Sequence, residues 1–347
     1  MSELSAPDID ARAQRKNRLF ELVSVLGVWA LVMLLFASGC VISPKFLTAR
    51  NLMSAAQAVS LLGIVCMGLA FVTYSRHYVD LSIPGIMALS GAMAISALPY
   101  GFAASLAVGM ATGLAIGLVN GLVVGYLRLN PIIWTLAMVS VLAGLIRWAY
   151  GGLQVYPDEA TAAGRAFLNL YHVKLVSLAD GRIELPLIVG LLAVLAAAAH
   201  VVMRWTSYGA QLKLTGSAYE VARLTGVNVR RVVATAFVVS AATSALAGIL
   251  LTSFNKVAAF YIGRGYDFEA ITAVVLGGMA LAGGRGSIAG VIGGVVAVAL
   301  LNNVLSLVKV DDFVIGEFAK RVIQGCVFIV VVGLHSWALR RTGMDDA

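Results

Sequence analysis

The 347-residue sequence predicts an all-α, polytopic membrane protein, and three observations carry that prediction. Hydrophobic residues make up 60% of the chain and charged residues only 12%, about half the share of a soluble domain. Mean hydropathy is +0.92. Apolar runs of the length that crosses a hydrocarbon core as helix, about 20 residues, recur from one end to the other.

Taken in order, the runs place helices at 19–42, 54–75, 81–99, 102–127, 131–150, 185–203, 232–254, 268–282, 286–308 and 321–339, about ten in all. The first follows Arg12, Arg15, Lys16 and Arg18, is longer than a signal-peptide core, and reads as a retained helix. Two spans depart from the rule. At 268–282 the run is short for a complete crossing, so it starts earlier or is a broken element buried in the bundle. The 76–84 junction, with Pro84 fitting a first helical turn, reads as an interrupted helix pair.

An even number of spans puts both ends on one side, and the basic clusters Arg12–Arg18, Arg204–Arg231 and Arg340–Arg341 mark that side as cytoplasmic. The expected organisation is a cytoplasmic tail 1–18, a membrane domain 19–339 and a cytoplasmic tail 340–347. Within it, 151–184 faces outside and 204–231 faces the cytoplasm.

The net charge of +8 lies in loops flanking apolar spans, without a basic patch interleaved with aromatics, so nucleic acid is not an expected partner. Cys40, Cys66 and Cys326 sit far apart in apolar runs and read as packing residues. His77, His172, His200 and His335 have no second ligand at metal spacing. No GxxxxGK[ST] loop is present. The chain therefore reads as having no catalytic residues, no metal and no cofactor of its own. Gly283-Gly284-Arg285-Gly286 reads as a tight turn.

Small residues repeat where helices must approach closely. Gly109, Gly113, Gly117, Gly121 and Gly125 recur every four residues, and Gly286, Gly290 and Gly294 repeat the spacing. Asp80 opens the third span and supports two readings: an intramembrane functional carboxylate, or a helix N-cap. Asn120, Thr135, Asn302 and Asn303 read first as interhelical hydrogen-bonding residues and second as pathway lining. Arg147, near a helix end, reads as a snorkelling side chain.

The polar stretch Ser207–Arg231 interrupts the apolar pattern. Ser217-Ala218-Tyr219-Glu220 has the spacing of a capping box, with Ser217 and Glu220 exchanging backbone bonds. It predicts a short helix over Ala218–Thr225, stopped at Gly226, with Val221, Ala222 and Thr225 on one side and Glu220 near Arg223. Such a helix either tidies a loop or docks a soluble partner.

The motifs decide between those two. Gly209–Val227, with Gly216 and the run Glu220-Val221-Ala222-Arg223-Leu224-Thr225-Gly226, resembles the cytoplasmic coupling loop of permease subunits from ABC monosaccharide importers of the ribose, xylose and arabinose type. That family reads G-N-P-E-A-A-R-L-S-G there, and Ser217-Ala218-Tyr219-Glu220 replaces its opening. Ala273–Leu301 resembles the family's A-V-V-x-G-G-x-x-L-x-G-G-x-G-S run. Asp80-Leu81-Ser82, Asn120-Gly121 and Thr135-Leu136 match further along, over about Asn51 to Leu334.

The resemblance implies an ABC importer permease-like bundle in a bacterial inner membrane. Its partners are ABC ATPase subunits that carry ATP-Mg, an extracytoplasmic sugar-binding protein, a second permease copy or paralogue, and membrane lipid. Coupling is expected at Ser217, Glu220, Val221, Ala222, Arg223, Leu224 and Gly226. Asp80, Ser82, Asn120, Thr135 and Asn302 are the candidate pathway residues. A branched-chain amino acid or nucleoside permease shares the architecture. A stand-alone ion- or proton-coupled carrier would need a relay of buried ionisable groups, and Asp80 stands almost alone.

Overall fold

Helix α10, Val229–Asn255, runs through the middle of the molecule. A computed structural model describes residues 25–76, 79–178, 183–310, 313–314 and 316, with single positions between 319 and 333. The chain begins there with α1 (Val25–Ile42), α2 (Ala49–Tyr74), α3 (Ile83–Ser96), α4 (Phe102–Gly125) and α5 (Pro131–Ala149). The short α6 (Ala162–Asn169) and the antiparallel hairpin β1 (Lys174–Leu178)–β2 (Ile183–Pro186) follow. Next come α7 (Leu187–Trp205), α8 (Ser207–Ser217), α9 (Tyr219–Leu224), α10, α11 (Tyr266–Leu276) and α12 (Ile288–Leu307). A two-residue pair, β3 (Lys309–Val310) with β4 (Phe313–Val314), closes the list of elements.

Seven of the described helices are long and apolar enough to cross a membrane: α1, α2, α4, α5, α7, α10 and α12. They do not share one environment. α2 and α10 are buried along most of their length, as expected of helices apolar on every side, and α10 packs against α2, α3 and α4. α1, α5 and α7 leave most of their apolar surface outward, with Leu34, Ile133 and Val194 among the exposed side chains.

The α4 glycines let α4 approach α10 closely along one ridge. A β-carbon at Gly113 would lie 2.3 Å from that of Ala245, and one at Gly117 would lie 2.5 Å from that of Ala241. At Gly121 and Gly125 the obstacle is α10 backbone, the carbonyl oxygens of Ala234 and Arg230. The second glycine series divides. Gly290 and Gly294 seat α12 against the Gly277 and Ala273 carbonyls, whereas Gly286 precedes the helix and lies in a turn. Gly286 is therefore not part of a helical ridge; the turn residue Ser287 caps α12 through Gly290.

Two expectations change here and one is met. The 81–99 span is the 14-residue α3, roughly 21 Å as helix, whereas the short 268–282 run starts earlier and is broken, as expected, forming the 11-residue α11 of roughly 16 Å. Both are too short for a complete crossing and are held by protein on their flanks. The stretch before Tyr219 is itself helical, as α8. Most of the predicted 321–339 span, the tails 1–18 and 340–347, His77 and Asp180 lie outside the described residues.

Candidate functional site

Two places gather the residues singled out by sequence. The first is α9, at the end of the bundle where α7 meets α8. Its start differs from the predicted capping box. α8 continues through Ser217, so the Ser217 backbone is already helical and its hydroxyl donates to the Lys213 carbonyl at 2.9 Å. Ala218, non-helical at φ −151° and ψ 75° and without a side-chain cap, separates the two helices. Glu220 pairs with Arg223 instead, at 3.2 Å. The helix is six residues long, shorter than Ala218–Thr225.

Its end is specified by sequence. Gly226 N–H donates to the Arg223 carbonyl at 3.2 Å and Val227 N–H to the Ala222 carbonyl at 3.0 Å, with Gly226 at φ +82°. That pair of bonds is the Schellman arrangement, and the left-handed residue between them is cheap only for glycine. The side chains then sort. Ala222 is fully buried against its own bundle, so it is not available to a partner, contrary to its predicted place on a docking face. Val221, 49% exposed, and Leu224, 87% exposed, are the apolar side chains that α9 offers outward.

Beneath α9, backbone meets backbone. A β-carbon at Gly216 would lie 2.1 Å from the Tyr74 carbonyl oxygen and 2.4 Å from the Gly284 nitrogen. Gly284 N–H donates to that same Tyr74 carbonyl at 2.9 Å. The end of α2, the end of α8 and the 283–286 turn therefore converge on one point. Tyr208 adds a second tie: its hydroxyl donates to the Val232 carbonyl at 3.1 Å, and its ring stacks on Phe71. Burial pushes the Tyr208 phenol above its ordinary value, which keeps it a donor.

The second place is the break between α2 and α3. Asp80 is fully buried, and its Oδ1 accepts both the Ser82 N–H, at 3.0 Å, and the Ser82 hydroxyl, at 2.5 Å. Its Oδ2 accepts the Ser240 hydroxyl of α10 at 3.0 Å. Ser82 Oγ accepts the Asn120 side-chain amide of α4 at 2.9 Å, and Asn120 Oδ1 accepts the Trp134 indole N–H of α5 at 2.9 Å. Thr135 joins from α5, its Oγ1 accepting the Leu81 N–H at 3.0 Å. Pro131 at the first position of α5 and Asn130 as its cap fix where Trp134 and Thr135 begin.

Four of the five candidate pathway residues, Asp80, Ser82, Asn120 and Thr135, are thus one hydrogen-bonded cluster of buried groups. The cap residue of α3 is Ser82, two positions after Asp80, so Asp80 serves that helix by accepting the Ser82 N–H from outside it. Asn302 is elsewhere. It lines a separate cavity of about 550 Å³ among α1, α2, α11 and α12, with Arg264, Tyr266 and Glu269. Its neighbour Asn303 exchanges amide bonds with Asn51 at 2.9 and 3.1 Å. Ser240 and Trp134 escaped the sequence reading; the available signal was the spacing of Ser240 and Ser244 inside an otherwise apolar run.

As chemistry, this cluster is a lock. Every polar atom named has a partner, and the carboxylate accepts three bonds from groups that must not be left unpaired in an apolar interior.

Residues 51–332 match a family described as the permease component of branched-chain amino acid transport systems. The chain belongs to this permease family. Curated relatives carry sugar names. The ribose import permease of Bacillus subtilis is 32% identical over 88% of this chain and 90% of its own length. The L-arabinose permease of Escherichia coli is 29% identical over 91% of this chain and 90% of its own. The arabinose ABC transporter permease of Azospirillum brasilense is 28% identical, over 87% and 86%. The permease match extends across both places described above, α9 and the Asp80 cluster.

Proposed function

We propose that the chain is the membrane-spanning subunit of an ATP-driven importer that passes a monosaccharide or small polyol through the bacterial inner membrane. The similarity to ribose and arabinose permeases over nearly the full length is the observation that carries this reading. In it, α9 is the coupling helix, and both chain ends and the α8–α9 end of the bundle lie in the cytoplasm. The partners are an ATPase pair, a sugar-binding protein on the opposite side, and a second permease.

ATP-Mg, held by the ATPase, supplies the free energy through hydrolysis. This chain's own residues transmit and receive the movement. Val221 and Leu224 offer an apolar contact, the Glu220–Arg223 pair flanks it, and Ala222 anchors the helix to the bundle. Gly216 packs on Tyr74, so displacement of α8 and α9 reaches the end of α2 directly. α2 leads into the Asp80 break, where the buried cluster holds α3, α4, α5 and α10 in register. The Asp80 cluster thus positions helices, and the route for sugar runs beside it.

The deciding experiment reconstitutes the chain with its ATPase and binding protein in liposomes and measures uptake of labelled ribose, arabinose and leucine. ATP-dependent sugar uptake that requires the binding protein supports the proposal. Uptake of leucine alone, or accumulation by the isolated chain under a pH gradient, would overturn it.

A further inference from the structure

The α9 end of the bundle also holds an open cavity of about 590 Å³, bordered by α9, the 124–131 corner between α4 and α5, and the start of α10. Its floor is apolar, formed by the buried side chains of Val124, Val229 and Val233. Its rim carries Arg76, Arg128, Tyr219 and Glu220. The rim charges do not cancel. Glu220 is committed to Arg223, and among the described residues neither Arg76 nor Arg128 has an acidic partner.

The two arginines share a second property. Three non-glycine residues among those described have left-handed backbone, and two of them are Arg76 (φ +68°) and Arg128 (φ +56°). That conformation is disfavoured for an L-residue and persists where the surroundings over-determine it. Here the two strained positions, far apart in sequence, border one cavity. Leu127 and Leu129, 69% and 48% exposed, flank Arg128, so the rim is bordered by apolar side chains open to an amphiphile.

We propose that this cavity binds a phosphate group, clamped between the guanidinium groups of Arg76 and Arg128. A guanidinium offers paired N–H donors that match phosphate oxygens, and two unpaired ones at one rim favour a dianion or a phosphodiester. The phosphate has two possible sources: the headgroup of an anionic phospholipid, or a soluble phosphomonoester. In either case the ligand ties the 124–131 corner to Tyr219 at the start of α9. This inference goes beyond the transport reading, and its test needs neither ATPase nor sugar.

The test follows the thermal unfolding midpoint of the purified full chain in phosphatidylcholine nanodiscs. In one arm phosphatidylglycerol replaces a rising share of the lipid; in the other, glycerol 3-phosphate is added to the buffer. A saturable rise in one arm is expected, and the arm identifies the source. Arg76→Gln and Arg128→Asn should each raise the half-effect concentration roughly tenfold, the loss of one charge-assisted hydrogen-bonding group. Asn is chosen at 128 because it tolerates left-handed backbone. Arg204→Gln, outside the cavity, should change nothing. No saturable rise in either arm, or a rise that all three variants keep, overturns the proposal. If the variants do not fold, native mass spectrometry of the wild-type chain decides. One retained phosphatidylglycerol or glycerol 3-phosphate per chain, over phosphatidylcholine, supports the site, and retention of neither overturns it.

Discussion

Gly216 packs so closely on Tyr74 that the two residues meet backbone to backbone, with room for no side chain between them. Gly216→Ala would place a methyl group 2.1 Å from the Tyr74 carbonyl oxygen, forcing α8 away from α2. The expected cost is about 1–3 kcal/mol, read as a lower unfolding midpoint of the purified protein. Gly144→Ala is the matched control, because nothing lies within 4 Å of its added carbon in α5. It should be neutral or stabilising by up to about 1 kcal/mol.

The two faces of α9 should separate assembly from stability. Leu224→Arg places charge on a side chain that is 87% exposed, so folding and membrane insertion should survive. Stimulation of the ATPase by the permease should fall at least tenfold if α9 is the docking helix. Ala222→Arg forces a charge into a fully buried site and should instead reduce the yield of folded protein. Normal ATPase stimulation by Leu224→Arg would remove α9 from the coupling contact.

Asp80 accepts three hydrogen bonds, and substitutions should rank by how many they keep. Asp80→Asn can still accept both Ser82 bonds and can donate to Ser240, whose hydroxyl can turn. A loss of about 1 kcal/mol, with substantial ATP-dependent uptake, is expected. Asp80→Ala leaves three donors unsatisfied and should cost about 3 kcal/mol or more. Equal stability of the two variants would show that the cluster does not hold the break together. An Asn variant that is stable yet inactive would give the carboxylate charge a role in transport.

Orientation is checked by thiol labelling in spheroplasts, with Cys40, Cys66 and Cys326 replaced. Asp180→Cys should react with an impermeant reagent from outside, and Ser217→Cys only after permeabilisation. The reverse pattern would invert the proposed topology.

Where an element is long and apolar throughout, the sequence was enough. α2, α4, α5, α7, α10 and α12 appear within a few residues of the limits that apolar run length sets. α11 was legible as a short or broken element; what the sequence left open was its end, which the positive-φ positions Gly278 and Gly283 set. The Ser217 capping box failed for a local reason. α8 reaches Ser217 first, and a residue that ends one helix has its hydroxyl near its own i−4 carbonyl. Ala222 was misplaced because six residues span fewer than two turns, too few for periodicity to tell the inner face from the outer. Asp80, Ser82, Asn120 and Thr135 were legible singly as costly polar groups. That Asn120 bonds Ser82, that Thr135 accepts the Leu81 N–H, and that Ser240 and Trp134 complete the set is tertiary information.

The glycine face of α4 has a mechanical meaning. Where Gly113 and Gly117 meet Ala245 and Ala241, no long side chain is present that could change rotamer to absorb a shift. α3 meets α10 as closely: a β-carbon at Gly248 of α10 would lie 2.3 Å from the Met87 carbonyl oxygen of α3. Helices in contact through backbone and methyl groups have no soft layer between them, so α3, α4 and α10 travel as one stiff block. Opening and closing must then occur along the seams around that block, as a door turns about its frame and not within its own panel.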